Sequence, residues 1–408
     1  MGRTLIKLGG KSGGHVNAAV NPDASYSLSA LRKSATLNSE APSSGTFESI
    51  ATAILENDRQ QIGESTKESA STALRFFREV YGTPMPGKIT RAMVSEWVDL
   101  LAQRPSRLPK GQWAVPLRRI VALYENRAEP RLAPKTYNGH VSSLATLWRK
   151  AVKTGRIRGD LANPFAGHRV SSAIPDPAEP KGFSREELQA ILGLRIFRKG
   201  DRPAGGKGEA SYWMPLLMLW TGARPEEVAQ LMLEDFGQDD KGRWHITFTD
   251  VGIHPHKGQR GLKTTRVHSG RRTIPIPRML LDLGLLRYVD WLRRRNEDAL
   301  FPDLRTKGAR KLLATGWTEW WGQMLYAEKI LVKAGRGRQP SREFRHTWTT
   351  AARRCGVSRD AREYIQGHGP ARGTANEDYG DREVLGNQIG KVDFDIDWTN
   401  VKSWQSQI

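Results

Sequence analysis

Apolar residues recur at helical spacing over most of the chain, and one short stretch alternates instead. From about Thr46 the pattern turns helical. Thr90 stands where an N-cap belongs, ahead of Met93, Val94, Trp97, Val98 and Leu101, which recur at three and four residues and form one apolar stripe. Pro134 suits the first turn of another helix, with Tyr137, Val141, Leu144, Trp148 and Ala151 inward and Gly155 as its stop. Ser184 and Glu187 form a capping box before Leu188, Ile191 and Leu192. Tyr212 to Leu219 is almost continuously apolar, which predicts a buried helix ending near Thr221-Gly222. Trp244, Ile246 and Phe248 alternate with polar residues as a half-buried strand does, and Thr273-Ile274-Pro275-Ile276 reads as the answering strand across a long basic loop, 250–271. Helical spacing resumes near 279–296, 314–333, 343–355 and 359–366.

The predicted fold is mainly α with a small β-sheet: an all-helical domain, then a mixed α+β domain. The expected boundaries are a flexible N-terminal segment at 1–60, a helical domain at 61–165, a polar, proline-bearing linker at 166–182, the second domain at 183–380 and a C-terminal tail at 381–408.

Charge narrows the function. The 64 Lys and Arg exceed the 43 Asp and Glu by 21, and the segments 1–60 and 380–408 contribute only +1 and −2, so +22 lies in 61–379. A region so basic suits a polyanion, nucleic acid above all, because Lys and Arg that neutralise phosphates release condensed counterions, though charge alone would also fit an anionic membrane or ribosomal RNA. Cys355 is alone, so neither an intrachain disulfide nor a cysteine-based zinc site can form. No apolar run reaches membrane-spanning length and no signal peptide is evident, so a cytoplasmic protein with no membrane partner is expected. His254-Pro255-His256 has a metal-like look, but on a basic loop without neighbouring carboxylates it reads as DNA-facing or solvated; no metal and no cofactor are expected. Trp213, Trp220, Trp291 and Trp317 sit at helical spacings and read as core, whereas Arg293-Arg294-Arg295 fits either a phosphate contact or a solvated face.

Each candidate chemical group is ordinary when taken singly. Arg224 precedes Pro225 at a helix mouth, Arg345-His346 suits a surface helix, and Gly367-His368-Gly369 suits a turn. Their order is more specific. Thr221-Gly222-Ala223-Arg224-Pro225-Glu226-Glu227, Leu262-Lys263-Thr264 before Gly270-Arg271-Arg272-Thr273-Ile274-Pro275, Phe344-Arg345-His346-Thr347-Trp348, Gly367-His368 and Asp378-Tyr379-Gly380 resemble, in sequence, the boxes of the tyrosine recombinase (phage integrase) family. The resemblance covers about 62–380, with 61–165 similar to the family's core-binding domain and 183–380 to its catalytic domain. One residue departs from the usual pattern: Arg342 stands where the family usually has His, less often Lys or Arg, and a guanidinium stays charged and cannot accept a proton.

The resemblance implies a site-specific recombinase or integrase that cuts and rejoins double-stranded DNA, with Tyr379 attacking a phosphodiester to leave a 3′-phosphotyrosyl link and a free 5′-hydroxyl. Arg224 and Arg345 would clamp the phosphoryl oxygens, His368 would donate a hydrogen bond, Lys263 would protonate the leaving oxygen, Arg342 would add charge and Glu227 would hold Arg224. Arg271, Arg272 and His346 are expected to contact DNA. The implied assembly is a homotetramer on DNA, with accessory DNA-bending proteins as possible partners and the segment after Tyr379 packing against a neighbouring subunit. Two alternatives are a non-catalytic DNA-binding protein that keeps the fold and a type IB topoisomerase-like strand relaxase.

Overall fold

Five helices form where the apolar spacing demands them and close around one core. In the computed structural model, which describes residues 45–57, 62, 64–168, 170, 181–262, 270–332, 338–368 and 382–405, these are α1 (Phe47–Glu56), α2 (Glu64–Tyr81), α3 (Arg91–Gln103), α4 (Leu117–Tyr124) and α5 (Pro134–Lys153). The hydroxyls of Thr46 and Thr90 cap α1 and α3, accepting from the amides of Ser49 and Met93. Trp97, Leu144 and Trp148 are buried on the inner faces, and Phe165 closes the core with its ring 5.3 Å from Phe47 and 5.4 Å from Phe77. The flexible segment expected at 1–60 ends sooner than drawn. Phe47, Ile50, Ala51 and Ile54 share one face of α1 and are buried, so α1 is part of the helical core.

The chain divides into two compact units, Met1–Ile174 and Pro175–Ile408. The second begins with α6 (Arg185–Leu192), whose capping box is formed by Ser184 and Glu187. It continues through α7 (Arg195–Arg198), the wholly buried α8 (Ala210–Thr221) and α9 (Pro225–Ala229). The strands β1 (Phe236–Gln238), β2 (Trp244–Phe248) and β5 (Arg272–Pro275) make an antiparallel sheet in the order β1-β2-β5, with Ile246 opposite both Phe236 and Ile274 and Phe248 opposite Arg272. The loop expected between them holds a small hairpin, β3 (Ile253–His254) with β4 (Gly258–Gln259). Two-residue strands are too short for alternation to reveal. The remaining helices are α10 (Arg278–Asp282), α11 (Leu285–Arg293), α12 (Ala314–Ala327), α13 (Pro340–Arg354), α14 (Arg359–Ile365) and α15 (Arg382–Asn387). Gly284, at φ +94°, breaks the helix expected over 279–296 into α10 and α11. Trp213, Trp220 and Trp317 are buried, and Trp291 packs half-buried against the same core.

Two expectations are corrected here. His254 is neither solvated nor turned outward: it is buried, its Nδ1 accepts from the His256 amide at 3.2 Å, and burial, followed by the charges of His256, Arg260 and Lys257, lowers its pKa to about 4. The expected C-terminal tail is not separate from the second domain over residues 392–405. Val392, Phe394, Val401 and Trp404 are buried in the second unit's own core. The Trp404 amide donates to the Leu283 carbonyl at 2.8 Å, its indole donates to Glu209 at 2.9 Å, and the Tyr212 hydroxyl donates to the Lys402 carbonyl at 2.8 Å. Isolated aromatic residues spaced along an extended segment have no period, so their burial is invisible before the fold is known. Among the described residues no helix is long and apolar enough to cross a membrane.

Trp404→Ala is expected to destabilise the second unit by about 3–5 kcal/mol, as for other buried aromatic truncations. Urea unfolding checks this, and an unchanged midpoint would remove the segment from the core.

Candidate active site

Helix α8 ends abruptly at Gly222, which takes the left-handed conformation at φ +62°; a Cβ there would come within 2.8 Å of the buried Trp348 ring. Thr221 steadies the turn, its hydroxyl donating to Leu217 O at 2.6 Å and accepting from Ala223 N at 3.2 Å. Pro225 then opens α9, since its missing N–H is not needed in a first turn. Glu227, on the same turn, reaches back to the residue before the proline. Its carboxylate accepts from the Arg224 amide at 3.1 Å and from the Arg224 guanidinium at 2.6 Å. From the other side it accepts from Arg272 at 2.8 Å. Burial by itself would raise the Glu227 carboxyl, but the charges of Arg272 and Arg224 outweigh it and hold the pKa down at about 2.

Arg345, in α13, is fixed by carbonyls at two chain turns. One nitrogen donates to Gly222 O at 2.7 Å, the other to Gln366 O at 2.7 Å and to His368 Nε2, also at 2.7 Å. Because a guanidinium only donates, Nε2 must carry a lone pair, which leaves the proton of a neutral His368 on Nδ1. Gln366 returns the contact through its own amide, donating to Arg345 O at 3.2 Å and Thr349 Oγ1 at 2.8 Å. Burial first, then the like charge of Arg224, pushes Arg345 down to about 9, against the opposing pull of Glu227. The group therefore remains cationic at neutral pH. Arg224, Glu227, Arg345 and His368, separated by up to 144 positions in sequence, thus form one cluster with more positive than negative charge.

The other expected site residues are placed unevenly. Lys263 and Tyr379 lie outside the described residues. Arg342 is exposed, one turn before Arg345 on α13. His346 is half-buried, and burial lowers its pKa. Arg271 is half-exposed and paired with Asp250. Arg272 corrects the expectation of a DNA contact: its side chain is wholly buried, and the exposed member of the Arg271-Arg272 pair is the first, as alternation along β5 requires. Arg293 is also engaged, bonding Asp290 and the Leu233 carbonyl.

Two residues that matter locally were missed. Gln230, fully buried, donates to Gly261 O at 2.9 Å and accepts from Gly261 N at 3.1 Å, pinning the chain two residues before Lys263. Glu226 accepts from Lys257 and from Ala314 N at 2.9 Å, so it fastens the β3–β4 hairpin and the start of α12 to α9. A glutamine inside the apolar run Val228-Ala229-Gln230-Leu231 was the available signal, since a buried amide requires partners. A cleft of about 580 Å³ between β2, β5 and α15 is lined by Trp244, Thr247, Arg271, Arg272, Tyr364 and Glu383 among others, and it does not include Arg224, Arg345 or His368. Among the described residues no group of three His, Cys, Asp or Glu side chains is arranged to hold a metal.

No protein-family model matches the sequence and no curated relative matches it. Solved structures do match. The Tn1549 transposon integrase in complex with transposon right end DNA is similar over 82% of this chain and 95% of that one, at 16% identity and a TM-score of 0.52. The same integrase in complex with a circular intermediate DNA is similar over 82% and 97%, also at 16% identity and 0.52. This chain has the tyrosine recombinase fold, with a helical domain ahead of a mixed α+β domain.

The electrostatics predict an acid response. Glu227 titrates near 2 in the folded unit against an ordinary 4.5, so its contribution is complete above pH 4.5 and is lost as pH falls towards 2. Glu227→Gln is expected to cost about 3–5 kcal/mol at pH 7, because it strands buried Arg272, and to flatten the decline between pH 4.5 and 2. Urea midpoints across that range measure both, and a variant as stable as the parent at pH 7 would contradict the assignment.

Proposed function

We propose that the protein is a site-specific DNA recombinase that breaks and rejoins strands through a 3′-phosphotyrosyl intermediate. The observation that carries this reading is the Arg224–Glu227 and Arg345–His368 cluster: two oriented guanidinium groups, one held by a carboxylate and the other by carbonyls and an imidazole, make a rigid receptor for one phosphate. The DNA complexes of the Tn1549 integrase, whose fold this chain shares, support the same substrate class. The basic region 61–379, at +22, supplies the long-range attraction.

In the proposed reaction the Tyr379 oxygen attacks phosphorus, its proton passes to solvent water, and the bond from phosphorus to the 5′-oxygen breaks. Lys263 gives that oxygen its proton. Charge gathers on the non-bridging oxygens, where Arg224 and Arg345 stabilise it, and because both are held by protein acceptors beforehand, little reorganisation is needed at the moment of reaction. His368 adds a donor through its protonated nitrogen. The phosphotyrosine keeps the diester energy, so rejoining to another strand needs neither nucleotide nor metal. Exposed Arg342, with Arg271 and His346, serves flanking phosphates. Several copies of the chain, four in the full reaction, act together on DNA, with or without a DNA-bending partner.

The test starts from duplexes selected by binding from a randomised pool and then nicked, so that cleavage traps the covalent adduct. The parent is expected to form an adduct in excess EDTA, and Tyr379→Phe to bind DNA equally well and form none. An adduct in Tyr379→Phe would move the nucleophile elsewhere, and binding without any adduct in the parent would favour a non-catalytic DNA-binding protein. Arg345→Ala should slow single-turnover cleavage by roughly 10²–10³-fold, as loss of a preorganised donor does. Arg342→Ala should instead weaken binding and lower the salt slope by about one; a cleavage defect as large as that of Arg345→Ala, with binding unchanged, would place Arg342 in the clamp.

A further inference from the structure

Arg272 is wholly buried, yet its guanidinium is shared among three separate parts of the second unit. Nε donates to the Ile365 carbonyl at 2.6 Å, one terminal nitrogen to the Gly270 carbonyl at 3.0 Å, and the other to Glu227 at 2.8 Å. The plane of the group lies over the Phe248 ring, its central carbon 4.2 Å from the ring centre. We propose that Arg272 is a positioning residue that ties the carboxylate orienting Arg224 to the turn that carries His368, so that the two arginines of the site are set by one buried strut. The proposal rests on the strand-transfer reading above and assigns Arg272 no contact with DNA.

The connectivity is continuous. Glu227 bonds both the amide and the guanidinium of Arg224 and also Arg272, while Ile365, the last residue of α14, is followed at once by Gln366, Gly367 and His368. Gln366 O and His368 Nε2 are two of the three acceptors that fix Arg345. The glycine of the Gly-His pair also belongs to this strut: at φ +63°, a Cβ on Gly367 would fall 2.6 Å from an Arg272 nitrogen. A lysine could keep the charge but not the fork, because an ammonium on a flexible stem cannot hold three acceptors that diverge in one plane. Misplacing reacting groups by about an ångström costs on the order of 10²-fold in rate.

The test compares Arg272→Lys with the double variant Arg272→Met, Glu227→Gln, which removes both members of the buried pair and so strands neither charge. Each is measured for affinity and salt slope on the selected duplex, single-turnover cleavage of its nicked form, and hydrogen exchange at Gly367 and His368. Arg272→Lys is expected to bind DNA as the parent does with the same salt slope, and both variants to cleave about 10²-fold more slowly and to exchange faster at the two amides. Cleavage at the parent's rate in whichever variant folds would overturn the proposal, as would a weakened affinity with a reduced salt slope in Arg272→Lys, which is the mark of a direct phosphate contact. A parent that forms no adduct would sink the strand-transfer reading instead; the exchange measurement then decides alone, and unchanged exchange at Gly367 and His368 would remove the strut.

Discussion

The second unit is organised around one buried carboxylate. Glu227 lies between Arg224, which reaches the surface, and Arg272, which does not, and its carboxylate bonds both guanidinium groups. An isolated charge in a protein interior costs several kcal/mol even after relaxation, so the pair is stable only because hydrogen bonds satisfy it on every side. Carbonyls from Gly270 and Ile365 take the remaining Arg272 donors, and Phe248 covers its face. The interior therefore specifies where three chain segments meet, and the surface site inherits that precision. Gly222 and Trp348 extend it, since the turn that ends α8 is shaped against the same helix that carries Arg345.

Charge balance explains why such a site is poised for an anion. Three guanidinium groups, those of Arg224, Arg272 and Arg345, share one carboxylate. Arg345 registers the imbalance: burial and the neighbouring Arg224 charge push it down, and Glu227 only partly restores it. Under the proposed reaction a phosphate diester would bring the missing negative charge and pairs of acceptor oxygens, which suit a forked donor better than a point charge. Carbonyl partners hold Arg345 without neutralising it, whereas a second carboxylate would have filled the site.

Much of this was legible in sequence, though unevenly. The helix caps at Thr90 and Ser184 and the pairing of Trp244–Phe248 with Thr273–Ile276 follow from local chemistry, which the fold obeys. Arg224, Glu227, Arg345 and His368 were found because their motifs occur in order, and the structure brings these four together. Arg272 was misread. Adjacent arginines on a strand look alike in a list, yet period two sends Arg271 outward to Asp250 and Arg272 inward, and only the phase of the strand tells which. Gln230 and the segment 392–405 escaped for another reason: their partners, Gly261, Glu209 and Leu283, are distant in sequence and make no local pattern.

The departure at position 342 has little architectural cost for the same reason that Arg272 matters. Everything that fixes Arg345 comes from elsewhere: the end of α8 at Gly222, and the turn after α14 at Gln366 and His368. Arg342 sits a turn away on the exposed side of α13, beside His346. Under the proposed reaction, replacing an imidazole by a guanidinium there exchanges a group that can carry a proton for one that only adds charge, while the clamp on the phosphate is unchanged. Removal of the tyrosine proton must then be assisted by the field of the clamp itself, because two fixed cations beside a phenol with an ordinary pKa near 10 favour its ionised form. The rigidity of the buried strut is what would let the site depend on field rather than on a dedicated base.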